Sequence, residues 1–251
     1  MRFSRTLTLL AILPAAFAQD VLRVTSPDGK IDAAFGVALP ADPGAFARLA
    51  YQVSYNGKPL LERSYLGYWL HDQEPILGQN TGLTQSRTAK GPGYNSATGE
   101  YLQNGSIGRR ITVEMRVFNE GLAFRYLLPW SAALEDLFVD TEETEFHLAQ
   151  NGDVQLPDGR KMPLNKLKEP VPLPVRVEQP GTAWVTLAES RLGGYPRTSI
   201  ESKEGTLLGT RLEFVKNELP IVGHTPMTSS WRVILVGPTP LDPSVAAKYL
   251  K

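Results

Sequence analysis

An all-β fold of packed antiparallel sheets is what this sequence predicts, and three observations carry that prediction. The chain of 251 residues holds 20 prolines and 22 glycines spread along its length, the punctuation of many short strands joined by turns. Its apolar residues alternate in short runs broken by tight-turn signatures, the period-2 pattern of strands with one buried face. It has no cysteine and 42% hydrophobic residues, so disulfides, thiol nucleophiles and thiolate metal sites are excluded, and the fold must be held by a sizeable core.

Taken in order, Met1-Arg2-Phe3-Ser4-Arg5, the apolar run from Leu7 to Phe17 and Ala16-Phe17-Ala18 read as a secretory signal peptide over 1–18, cleaved after Ala18. The run falls short of the roughly 20 residues a membrane span needs. A periplasmic or secreted chain with no later membrane span is expected. Val21 to Thr25, then Ser26-Pro27-Asp28-Gly29-Lys30, then Ile31 to Val37 read as strand, turn, strand. Leu49 to Tyr55 alternates into Asn56-Gly57, a strong hairpin signal, and Leu60-Leu61 resumes the strand. Between Asp72 and Gly108 the pattern dissolves into Gly, Asn, Thr and Ser, which predicts long loops with at most edge strands. The sequence from Arg110 to Phe118, turned at Asn119-Glu120-Gly121 and continued by Leu122 to Leu127, is the clearest antiparallel pair. Glu142 to Leu148 reads as a further strand, and Gln150 to Pro174 as a connecting loop. Trp184 to Glu189, Gly209 to Val215 and Ser230 to Val236 supply three more strands, and Val245 to Leu250 a helical turn. The sandwich is therefore expected to occupy 19–238, with a tail over 239–251.

Composition also limits function. Lys plus Arg and Asp plus Glu both total 26, so no net field draws the chain to nucleic acid or an acidic membrane. The three histidines, His71, His147 and His224, lie far apart in sequence and lack zinc spacing; solvated loop or strand-end positions are expected. No Gly-x-Ser-x-Gly elbow is present, and Gly93 to Gly99 lacks the Gly-Lys-Ser/Thr ending of a phosphate loop. Asn104-Gly105-Ser106 is a glycosylation sequon. Glu142, Glu143 and Glu145 cluster, but an alternating strand sends neighbours to opposite faces, so a solvated strand edge is expected there and not a catalytic carboxylate pair. No residue is singled out as catalytic.

Several segments in order carry a resemblance. They are Ser26-Pro27-Asp28-Gly29-Lys30-Ile31, YQVSYNGKPLLERSYLGYWL from Tyr51 to Leu70, EMRVFNEGLAFRYLLP from Glu114 to Pro129, Thr144-Glu145-Phe146, WVTLAESRLGGYP from Trp184 to Pro196, and TPMTSSWRVILVG from Thr225 to Gly237. Together they resemble the N-terminal domain of glycoside hydrolase family 97. The resemblance implies a β-super-sandwich of mutarotase-like antiparallel sheets, normally followed by a catalytic (β/α)₈ barrel. The family's members are calcium-dependent α-glucosidases or α-galactosidases whose acid and base lie in the barrel. A barrel needs about 250 further residues, so this chain alone is expected to be non-catalytic, a carbohydrate-binding or accessory sandwich for α-glucosides or α-galactosides. The alternative is one half of a split or truncated glycosidase that docks a separately encoded barrel. The family's sandwich gives one glutamate to the active-site calcium, and the matching position is Glu189. Two segments depart from the family's pattern: Gln150 to Pro174, which is Pro- and Lys-rich, and Tyr94 to Tyr101.

Overall fold

The structure, a computed structural model, describes residues 20–40, 44–103 and 108–251. The segment expected to be a signal peptide and the Asn104 sequon lie outside the described residues. The first sheet is a meander of β1 (Leu22–Thr25), β2 (Ile31–Ala38), β3 (Arg48–Tyr55) and β4 (Lys58–Tyr65). Its β3–β4 turn places Asn56 at φ 51° and Gly57 at φ 76°. Two successive positive φ values are the signature of a type I′ turn, whose twist matches that of the strands it joins.

Next come β5 (Tyr68–Leu70) and β6 (Gln73–Leu77), then a long hairpin of β7 (Thr81–Gly91) and β8 (Tyr94–Gln103). This hairpin corrects the expectation of loops between Asp72 and Gly108. Its inward positions on β8 are Ala97, Gly99, Tyr101 and Gln103, so most lack the large apolar side chain that would make an alternating pattern visible. Small residues are required there. A Cβ on Gly99 would stand 2.9 Å from both Leu22 and Tyr101 side-chain atoms, because β1 lies across β8.

β9 (Arg110–Phe118) and β10 (Gly121–Leu128) form the expected pair, in register from Gly121↔Phe118 to Leu127↔Thr112. β11 (Asp136–Glu142) and β12 (Glu145–His147) come next. The region expected as a loop from Gln150 to Pro174 contains three short strands, β13 (Asp153–Gln155), β14 (Lys161–Pro163) and β15 (Val171–Pro172). The chain then runs through β16 (Val175–Gln179), β17 (Ala183–Ser190), β18 (Thr198–Glu204), β19 (Leu207–Leu212), β20 (Ile221–His224), β21 (Met227–Thr228) and β22 (Trp231–Gly237). It ends in a 3₁₀ turn at Pro243–Tyr249, capped by the Asp242 side chain, which accepts from the Ser244 amide.

Among the described residues these strands make one ten-stranded sheet, ordered β14-β13-β16-β17-β22-β10-β9-β8-β7 with β21 alongside β10, and three four-stranded sheets, β1-β2-β3-β4, β20-β11-β5-β6 and β12-β19-β18-β15. The antiparallel all-β sandwich expected from the sequence is therefore what the chain adopts. One continuous core fills it, with Val113, Met115, Phe124, Leu187 and Ile234 from the large sheet meeting Phe35, Leu49, Tyr68, Val139 and Phe146 from the small ones. A second cluster lies on the outer face of the large sheet, where Phe118, Val233 and Leu235 are covered by Ala246 and Tyr249. The Tyr249 ring stacks on Phe118 at 4.3 Å. Strand β22 is consequently buried on both faces, which is why its sequence reads as an almost unbroken apolar run.

That run has one exception, Arg232, and β11 has one irregularity. Between Val139↔Leu70 and Thr141↔Trp69 the β11–β5 register shifts by one residue, a bulge at Asp140. A bulge sets two residues opposite one and re-aims the side chains beyond it. Leu137 and Val139 point inward; past the bulge so does Glu142, which strict alternation would have sent to solvent.

Candidate functional site: a buried charge network ending at Glu189

Glu189 lies near the end of β17 on the face that carries Val185 and Leu187 into the core, and it pairs across the sheet with Arg232 of β22. Arg232, Ile234 and Val236 share that inner face, so the guanidinium enters the core and has no exposure. A buried charge needs both a counter-charge and hydrogen bonds. Glu142 supplies them from the opposite sheet. Arg232 Nε donates to Glu142 Oε1 at 2.7 Å, Nη2 donates to Oε2, and Nη1 donates to Glu189 Oε2 at 3.2 Å. The fork is bidentate on Glu142, the strongest arrangement available to this pair.

Glu142 also accepts from Thr144 Oγ1 at 2.7 Å and from the Tyr195 hydroxyl at 2.6 Å. Because Tyr195 commits its one proton to Glu142, the Tyr68 hydroxyl at 2.9 Å must be the donor of that pair. By the same reasoning Tyr126 donates to Thr144 at 2.6 Å. Every hydroxyl proton in the network thus runs toward Glu142. Burial would lower the Arg232 pKa, but the Glu142 charge and its hydrogen bonds outweigh that effect and hold it above the ordinary arginine value. Burial and the Glu142 charge push Tyr68, Tyr126 and Tyr195 up, so all three stay neutral.

The expectation of a solvated edge for the three clustered glutamates is corrected. Glu142 is 1% exposed. Glu145 accepts the Tyr65 amide at 2.9 Å, and Glu143 lies 3.8 Å from the Arg48 guanidinium. Sequence reasoning set Glu142 on a solvated edge and did not single out Arg232. A visible signal was the lone arginine in WRVILVG, whose position in step with Ile234 and Val236 demands a buried carboxylate somewhere.

Glu189 itself keeps 11% side-chain exposure, and the arginine engages only its Oε2 among the described residues. Calcium takes 6 to 8 oxygen ligands. Among the described residues no group of three or more His, Asp or Glu side chains is gathered for a metal, and the Glu142 carboxylate is fully engaged. The described residues of this chain therefore do not by themselves make a calcium site, and at Glu189 they offer a single oriented carboxylate. The histidines are dispersed: His71 pairs with Asp140, His224 with Asp136, and His147 lies 3.9 Å from Glu62. On the outer face beside the same strand ends, Arg116 and Arg125 stack on Trp231 at 4.8 and 4.5 Å, and Glu114 bonds both.

Solved structures share this architecture. A glycoside hydrolase family 97 enzyme from Pseudoalteromonas sp. strain K8, in complex with acarbose, superposes with a TM-score of 0.75 at 19% identity, over 87% of this chain and 36% of that one. A point variant of a family 97 enzyme from the same strain, in complex with panose, gives 0.75 at 18% over the same shares. A β-arabinopyranosidase gives 0.74 at 21%, over 88% of this chain and 40% of its own. The chain thus spans 36–40% of the length of these enzymes. No curated protein matches it. The family model described as Glycosyl-hydrolase 97 N-terminal matches residues 24–242, and the chain belongs to that family.

Proposed function

We propose that this chain is an exported accessory sandwich of the family 97 glycosidases, non-catalytic alone, which presents Glu189 to a calcium ion completed by a (β/α)₈ barrel, in the same protein or separately encoded. The observation that carries this reading is the Arg232 fork. It fixes one oxygen of Glu189 by a hydrogen bond anchored in the core and leaves the carboxylate partly exposed at the strand end. A ligand held this way loses little freedom on coordination. When bound, calcium supplies positive charge beside a glycosidic bond; the residues of this chain orient one of its ligands beside the Arg232 guanidinium. The sugars in view are α-glucosides or α-galactosides.

Calorimetric titration with calcium tests the proposal. The chain alone should show no site of its own, whereas a mixture with a family 97 barrel should form a complex with a calcium site that Glu189→Gln weakens roughly tenfold or more. No complex, or a calcium site indifferent to that substitution, overturns it.

A further inference from the structure

Beside the bulge at Asp140, the outer face of the β20-β11-β5-β6 sheet carries a group of four side chains. Alternation buries Tyr68 and Leu70 of β5 and Leu137 and Val139 of β11, and turns Trp69, His71, Phe138 and Asp140 outward. Trp69 is 42% exposed and Phe138 38%. His71 stands opposite Phe138, its amide donating to the Phe138 carbonyl at 2.9 Å. Asp140 stands in the bulge between Val139, opposite Leu70, and Thr141, opposite Trp69, and so lies next to Trp69. Four side chains therefore occupy the corners of a quadrilateral about 5 Å across the strands and about 7 Å along them. Its two diagonals differ in chemistry. His71 Nδ1 and Asp140 Oδ1 meet along one at 3.0 Å; Trp69 and Phe138 sit at the ends of the other.

We propose that this quadrilateral is a carbohydrate-binding platform that takes one hexopyranose unit of a neutral glycan. A pyranose offers an apolar C–H face rimmed by hydroxyls, and the platform offers aromatic surface interrupted by a fixed polar pair. With Nδ1 committed to Asp140, the second ring nitrogen of His71 and the second oxygen of Asp140 are turned to vicinal hydroxyls. Asp72 lies 3.5 Å from that second nitrogen and is itself exposed, so a hydroxyl can take its place. With the carboxylates of Asp140 and Asp72 both against the one imidazole, the site carries no excess positive charge to attract an anion. A protein partner is disfavoured by size: a stable interface buries about 800 Å² per partner around a contiguous apolar centre, whereas the apolar groups here, Trp69, Phe138 and the adjacent Val222, are divided by the ion pair. Glu189 has no part in the platform, so the two proposals stand or fall separately.

Native gel electrophoresis of the full chain through amylopectin or galactomannan, with EDTA present to remove calcium, tests the platform. The wild type should be retarded by at least one of the two. Trp69→Ala and Phe138→Ala should each weaken that retardation roughly tenfold, with unchanged melting temperature because both side chains are outside the core. Phe214→Ala, which removes an aromatic 51% exposed beyond β19, should migrate as the wild type does. A wild type retarded by neither polysaccharide overturns the proposal, as does full retardation of either platform variant.

Discussion

Glu142 and Arg232 form a buried pair in which neither charge is tolerable alone. Glu142→Gln strands the guanidinium and should cost about 3–5 kcal/mol of stability, measured as a fall in the urea midpoint at unchanged slope. Replacing both partners with methionine should recover most of that loss, because a buried ion pair seldom outperforms a packed apolar pair; a double variant as unstable as the single one would contradict this account. The surrounding tyrosines give the network a pH signature. Their folded pKa values lie above the ordinary tyrosine value of about 10, so the folded state holds protons that the unfolded chain releases. That contribution is complete below about pH 10 and declines as pH rises beyond it. Absorbance at 295 nm should accordingly show Tyr68, Tyr126 and Tyr195 ionising only as the protein unfolds. On the exposed side the His71 pKa is raised, first by its hydrogen bond to Asp140. Its contribution is present below the ordinary histidine value near 6.5 and is lost as pH rises through the folded value; an NMR titration should show Asp140→Asn returning it toward normal.

Single elements decide where such residues point, and here the sequence is partly opaque. The strands β9, β10, β17 and β22 were legible because large apolar residues alternate or run unbroken in them. The β7–β8 hairpin was not, because small residues, Ala97 and Gly99, occupy its inward positions, and bulk at Gly99 would collide with Leu22. The bulge in β11 was hidden for another reason: one extra residue leaves composition unchanged while reversing the faces of everything after it. Inserting one alanine after Thr141 should therefore turn Glu142 outward, strand Arg232, and destabilise the chain by an amount comparable to Glu142→Gln, read in the same urea experiment, whereas deleting Asp140 removes only the bulge and leaves Glu142 inward. The turn after Asp242 is a second element with a large effect. Its Tyr249 is 7% exposed and closes the outer cluster, with its carbonyl accepting from Arg116 at 2.7 Å and its hydroxyl donating to Glu120 at 2.8 Å. Tyr249→Ala should cost about 3–5 kcal/mol, as loss of a buried aromatic does, and should raise binding of a hydrophobic dye to the uncovered sheet face.

For the whole molecule, the hairpin spacing, the even charge balance and the lack of cysteine were enough to specify an antiparallel sandwich with a large core. They could not specify the site, because Glu142, Arg232 and the segment that carries Glu189 and Tyr195 lie far apart in the chain and only the closed sandwich assembles them. The order of the ten-stranded sheet adds a temporal constraint. Strand β22, nearly the last in sequence, stands at the middle of that sheet between β17 and β10, and its loss would leave both neighbours with an unpaired edge. During synthesis the first 230 residues can form hairpins but cannot close the sandwich, since the strand that joins its halves has yet to emerge. A nascent chain therefore exposes two hydrophobic strand edges until β22 has emerged, and these must be kept from pairing with other chains until then.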